Sequence, residues 1–113
     1  MALRIKQTPT YFWPVVVEYP VDGGKFLKET FDAEFKRLSK DEIQTILEDA
    51  ATDKKKDADV VREVLVGWKG ITDDDGALDF SATALETAQA IPLFDSSVVQ
   101  AWMKSVSGAP VKN

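Results

Sequence analysis

The sequence predicts an α+β fold: an N-terminal antiparallel β-hairpin followed by about four short helices. Three observations carry that reading. The run Tyr11-Phe12-Trp13-Pro14-Val15-Val16-Val17-Glu18-Tyr19 is aromatic and β-branched, which suits a pleated, half-buried surface. Behind it, Val21-Asp22-Gly23-Gly24-Lys25 supplies residues that tolerate positive φ, as a tight reversal requires. From Ser39 onward the apolar residues recur at helical spacing instead of alternating.

In the first strand, Tyr11, Trp13, Val15, Val17 and Tyr19 fall on one face. Pro14 has no N–H to give to a ladder, so this strand belongs at an edge or carries a bulge. In the returning arm, Leu27, Phe31, Ala33 and Phe35 make a dry face, and Lys28, Thr30, Asp32 and Glu34 point to water. Ser39-Lys40-Asp41-Glu42 has the pattern of a capping box, so the first helix begins there. Its stripe is Ile43, Ile46, Leu47 and Ala50, and Thr52-Asp53-Lys54-Lys55-Lys56 ends it. The three lysines read as a solvated loop ahead of a patch for phosphate or an acidic partner.

Asp57 is expected to cap the next helix, the central one. Val60, Val61, Val64, Leu65 and Trp68 share one helical face there, with Trp68 as anchor and Gly67 and Gly70 marking the end. The competing reading is a strand over Val64-Leu65-Val66, which is short and rich in β-branched residues. Beyond it, residues 71–80 form an acidic loop with room for a minor strand at residues 77–80. Asp73, Asp74 and Asp75 before Gly76 invite a calcium reading, because hard cations take oxygen ligands around a glycine bend. The spacing opposes it: with Gly76 in the glycine place, Ile71 would stand at the first ligand position and Ala82 at the bidentate one.

Ser81 opens a third helix whose inner side is Ala84, Leu85, Ala88 and Ile91, and Pro92 closes it. Asp95 is expected to cap a fourth, with Phe94 stapled onto Val99 and with Val98, Val99, Trp102, Met103 and Val106 as its stripe. Gly108 stands where a terminator belongs, ahead of a loose tail. Trp68 reads as core, whereas Trp102 reads evenly as core or as a face offered to a partner.

A chain of 113 residues suits one domain with a single core, here 1–113. It has no cysteine and no histidine, which removes disulfides, thiol nucleophiles and every histidine general base. The expectation is therefore binding without catalysis, and no cofactor or metal. Nineteen acidic residues oppose fourteen basic ones, and the net charge of −5 gathers late in the chain, where Asp73, Asp74, Asp75, Asp79, Glu86 and Asp95 face only Lys104 and Lys112. Such a surface repels phosphate backbones, so no nucleic-acid partner is expected. No apolar run is long enough to cross a bilayer and no segment resembles a signal peptide, so the expected compartment is the cytosol, without membrane contact.

The order of these pieces resembles a family of phage tail assembly chaperones, small proteins encoded between the tail tube and tape measure genes of long-tailed phages. The likeness rests on residues 10–14, on Val21-Asp22-Gly23-Gly24-Lys25-Phe26, on Phe31-Asp32-Ala33-Glu34-Phe35-Lys36-Arg37-Leu38 and on residues 64–76, with Leu85, Ile91-Pro92 and Lys112-Asn113 matching in style. It spans nearly the whole chain and is specific only in combination. Membership would imply a protein that coats the apolar tape measure protein, brings in tail tube protein subunits and is absent from the finished virion. It also implies a longer product made by a backward ribosomal slip, and Val111-Lys112-Asn113 permits the adenine-rich codons on which tRNAs re-pair.

A chaperone of that kind needs an apolar face for its client. The expected partner-binding residues are Leu93, Phe94, Trp102 and Met103, because methionine and aromatics adapt to varied clients. Asp73, Asp74 and Asp75 are expected to keep coated filaments soluble or to meet basic tube subunits. Edge pairing of the hairpin gives self-association into oligomers as a further expectation. Three other readings compete: a structural tail or neck component such as a tail terminator, a small metal-dependent enzyme using Asp73, Asp74, Asp75 and Asp79, and a generic antitoxin or adaptor domain.

Overall fold

The computed structural model of the chain describes residues 2–107. It is α+β: an N-terminal hairpin of β1 (Thr10–Val21) and β2 (Lys25–Lys36), then α1 (Lys40–Ala51), α2 (Asp57–Val64), β3 (Leu65–Lys69), β4 (Thr72–Asp73), β5 (Gly76–Ala77), α3 (Ala82–Gln89) and α4 (Phe94–Ser107). β1 and β2 pair along their full length, from Thr10 opposite Lys36 to Val21 opposite Lys25, and Gly23 and Gly24 take the positive φ values of the reversal. β3 adds to β2 in the order β1-β2-β3, which leaves β1 at an edge where Pro14 costs no ladder bond.

The inner face of the sheet is the expected one. Val15, Val17, Phe31, Ala33 and Phe35 are buried in one cluster with Ile46, Val60, Val61, Val64, Leu85, Val98 and Trp102. α4 lies across β1 and beside α2, so the helices form a layer on that face. Ser39 caps α1 as a capping box: its hydroxyl accepts from the Glu42 amide at 3.2 Å and Glu42 accepts from the Ser39 amide at 2.9 Å. Lys55 bridges α1 and α2, 2.8 Å from Glu63 and 3.9 Å from Asp49, and Lys56 lies 3.6 Å from Asp53, so two of the three lysines are engaged within the chain.

Several expectations are corrected. The central helix does not run to Trp68: it stops at Val64, and residues 65–69 form β3, with Trp68 on a strand opposite Ala33. Phe35 faces Leu65 while Glu34 faces Gly67, so Val66 is the extra residue of a bulge. Asp57 is the first helical residue of α2 and not its cap. Lys56 holds that position, and the Asp59 carboxylate accepts from its amide at 3.1 Å. Asp95 likewise lies inside α4, where it accepts from Gln89 Nε2 at 3.0 Å. α3 ends at Gln89, which strands Ile91 outside the helix and exposed instead of on its inner side. The minor strand near residues 77–80 is displaced to the small hairpin of β4 and β5. The terminator expected at Gly108 and the tail residues Val111-Lys112-Asn113 lie outside the described residues.

No helix among the described residues is long and apolar enough to cross a membrane.

Candidate functional site

The two strands of the hairpin are twelve residues each, yet β3 pairs with β2 only over residues 32–35. The end of the hairpin beyond Val17 and Phe31 therefore projects past both β3 and the helix layer. Its residues keep the strand alternation, so Tyr19 and Leu27, paired across the ladder, continue the inner apolar face. Nothing among the described residues covers them fully: Tyr19 is half-buried and Leu27 is 42% exposed.

Two turns complete a groove at the foot of this projection. Gly70, at φ 94°, lets the chain leave β3 across Phe31, and a Cβ there would stand 3.5 Å from the Phe31 Cα. Ile71 follows and its carbonyl accepts from the Leu78 amide at 2.9 Å, which ties the acidic loop down. On the other side, the turn between α3 and α4 places Ile91 and Pro92, with Leu93 at φ 72°. The resulting cleft holds about 520 Å³ between Val17, Tyr19, Pro20 and Phe31 of the hairpin and Ile71, Ile91, Pro92 and Phe94 of the body. That is room for a few anchoring side chains, with the rest of any partner lying outside.

The polar residues lining this cleft are Tyr19, Glu29, Thr30 and Thr72, and Glu29 is the charged one among them. Glu29 lines it beside Tyr19, and the slight burial of the phenol, with the Glu29 charge next to it, pushes the tyrosine up from its ordinary range. Thr72 lines it too, and Asp73, Asp74 and Asp75 follow directly in the exposed turn between β4 and β5. Lys25 lies two ladder positions beyond Leu27 on the same arm. Within the acidic turn, the Asp75 amide donates to Asp73 Oδ1 at 2.8 Å, an Asx turn that fixes the reversal. Among the described residues no three acidic groups converge tightly enough to hold a metal ion.

The four apolar residues expected to bind a partner are divided. Trp102 is fully buried and Phe94 is 3% exposed, so neither presents a surface in this conformation. Phe94 stacks on Phe31 with ring centres 5.6 Å apart and 7° between planes, which makes it the floor of the groove and part of the core at once. Trp102 is buried because α4 packs against β1 and α2. Its buried indole N–H meets no acceptor among the described residues. Met103 is half-buried against the core, while Leu93 is 49% exposed beside Ile91. Asp73, Asp74 and Asp75 are exposed as expected.

Trp68 is core, 8% exposed, and it organises the loop that walls the groove. Its indole N–H donates to the Leu78 carbonyl at 2.8 Å, and its ring meets Phe80 edge-on at 4.8 Å and Phe31 at 6.5 Å. The residues that the sequence reading missed are Tyr19, Pro20, Leu27, Ile71, Ile91 and Pro92. Ile91-Pro92-Leu93 carried a signal: three apolar residues after the point where an alanine-rich helix ends have no stripe to join.

A second, more polar cleft of about 410 Å³ lies at the opposite end of β1, among Tyr11, Trp13, Arg37, Ile43 and Val106. Internal bonds occupy its polar groups, since Tyr11 and Ser105 share a hydrogen bond of 2.7 Å and the Arg37 guanidinium sits 4.8 Å over the Tyr11 ring. No protein-family model, curated protein or solved structure matches the chain.

Proposed function

We propose that this chain is a binding protein without catalytic activity, a phage tail assembly chaperone that shields apolar helical stretches of the tape measure protein. On this reading it works in the cytoplasm of the host bacterium, helps recruit tail tube subunits to the coated client, and leaves before the virion is complete. One observation carries the proposal: the inner face of the hairpin continues beyond its own helix layer and opens into an apolar groove. A sheet face of that kind has to be covered by something, and a client helix supplies the missing layer. The groove takes over the role expected of Trp102, with Phe94 as its floor, Leu93 between the lining residues Pro92 and Phe94, and Met103 outside the lining. The resemblance of the sequence to the chaperone family supplies the name of the client.

Co-expression with the tape measure protein encoded beside its gene tests the reading. The expected result is a soluble complex of the two and no trace of the chain in purified virions. A tape measure protein that stays insoluble, or a chain that persists in the particle, overturns it.

A second reading is favoured by a different observation, the free edge of the twelve-residue β1. Pairing of that edge between copies builds rings, as a tail terminator retained in the particle would require. Detection of the chain in mature virions selects this reading over the first.

A further inference from the structure

We propose that the groove between the projecting hairpin and the turn at Ile91 receives one amphipathic helix whose apolar stripe is flanked by lysine or arginine. This rests on the chaperone reading for the identity of the client and on the structure for its chemistry.

A helix, rather than a strand or a loop, follows from the layer that is missing. Over Val15, Val17, Phe31, Ala33 and Phe35 the inner face of the hairpin is buried in the core, and over Tyr19 and Leu27 the same face is only partly covered by the described residues. A single helix laid beside α4 extends the existing layer without changing its geometry. Anchors at i, i+3, i+4 and i+7 on one face of that helix match an apolar strip running from Tyr19, with Leu27 opposite it on the ladder, to Ile91, with a cleft that takes a few side chains and no more.

Charge decides the flanks. Glu29 lines the groove, and Asp73 directly follows the lining residue Thr72, with Asp74 and Asp75 next in the same exposed turn. Lys25, on the same arm, lies toward the hairpin tip, and Lys28 is paired with Glu18 at 3.7 Å. A helix with carboxylates beside its stripe would meet like charge at Glu29 and toward the acidic turn; one with lysine or arginine meets complementary charge there. Exposed charges of this kind set selectivity and salt dependence more than absolute strength.

The experiment titrates three designed peptides against the full chain: one with a leucine stripe flanked by lysine, one with the same stripe flanked by glutamate, and one of the lysine composition carrying a central proline. The expected result is binding of the lysine peptide, weakened about tenfold by glutamate flanks or by the proline, and weakened by added salt. Ile91→Asp and Leu27→Asp are each expected to weaken the lysine peptide about tenfold, with the fold intact by circular dichroism because both side chains are exposed. Val16→Asp, on the outer face of the same hairpin and 50% exposed, is expected to leave binding unchanged.

Equal binding of the lysine and glutamate peptides overturns the charge assignment, and undiminished binding of the proline peptide makes the occupant an extended strand. Sedimentation that finds a dimer which Ile91→Asp converts to monomer makes the occupant a second copy of this chain, and also overturns the proposal. The two levels separate cleanly. If the tape measure protein binds but ignores Ile91→Asp and Leu27→Asp, the groove assignment fails and the chaperone reading stands. If the lysine peptide behaves as expected and the tape measure protein does not bind, the reverse holds.

Discussion

The two ends of the hairpin are built alike and fare differently. Near its open end, Val15 and Ala33 are fully buried, each on the inner face of an alternating strand. Toward its turn, Tyr19 and Leu27 continue the same alternation on the same face, and Leu27 remains 42% exposed. Local sequence separates them in part, since Glu29 and Lys25 take inward positions of β2 toward the turn, where Phe31, Ala33 and Phe35 take them nearer the open end. The rest of the separation comes from reach. β3 pairs with only four residues of β2, so the sheet's own cover ends before the hairpin does. Alternation fixes which face of a strand is dry; only the neighbouring elements fix how much of it is.

The strongest test of this contrast is to remove one side chain from each region. Trp102→Ala, under the covered end, is expected to cost ~3–5 kcal/mol of folding free energy in urea denaturation. Leu27→Ala is expected to cost less than ~0.5 kcal/mol, as for a surface substitution. A large loss at Leu27 would mean that the projecting end is buried in solution against another copy. The two ends would then be equivalent after all.

The boundary between them is Gly70, where the chain leaves β3 at φ 94°. An added Cβ has ordinary room beside Phe31, so the expected penalty of Gly70→Ala is conformational, ~1–2 kcal/mol. If the stability of Gly70→Ala matches the parent, β3 can leave the sheet by another path and the groove wall formed by Ile71 is not fixed.

Much of the covered region was legible from sequence. The strand faces, the capping box at Ser39, the start of α3 at Ser81 and the edge position of the Pro14 strand follow from side-chain chemistry that acts within a few residues. Trp68 shows why the rest was not. Leu65 and Trp68 are three apart, a helical interval, and in a regular strand they would face opposite ways. The bulge at Val66 inserts one residue and returns both to the inner face, so a strand counterfeits the spacing of a helix. Ile91 misled for the opposite reason: it continued the stripe of α3 on paper, but the helix ends at Gln89. The groove depends on where three separate turns stop, and no local pattern records that. Trp102 and Phe94 are candidates by residue type, and tertiary packing buries the first and leaves the second as the floor of the groove.

The gentlest way to probe the contrast is pH, because the carboxylates with clearly lowered pKa values sit in the helices that make the cover. Glu42 is held below the usual carboxylate range, first by accepting from the Ser39 amide and then by the Ser39 hydroxyl. Asp59 is held low by the Lys56 amide, then by Arg62. A carboxyl whose folded pKa lies below its unfolded one contributes stability above the unfolded value and loses it as pH falls through the folded one. Both groups are solvent-exposed, so the effect is small and local. Acidification from neutrality to below about pH 4, the ordinary carboxylate range, is expected to loosen the first turns of α1 and α2. Amide hydrogen exchange should report lost protection at residues 42–43 and 59–60, where the first helical turns begin, with little change across the ladder between Tyr19 and Leu27. Glu42→Gln keeps an acceptor without the charge and is expected to flatten the acid response of α1 alone. Equal loss of protection along the hairpin would show that its projecting end draws its order from the helix layer, and that the groove cannot be treated as a rigid seat.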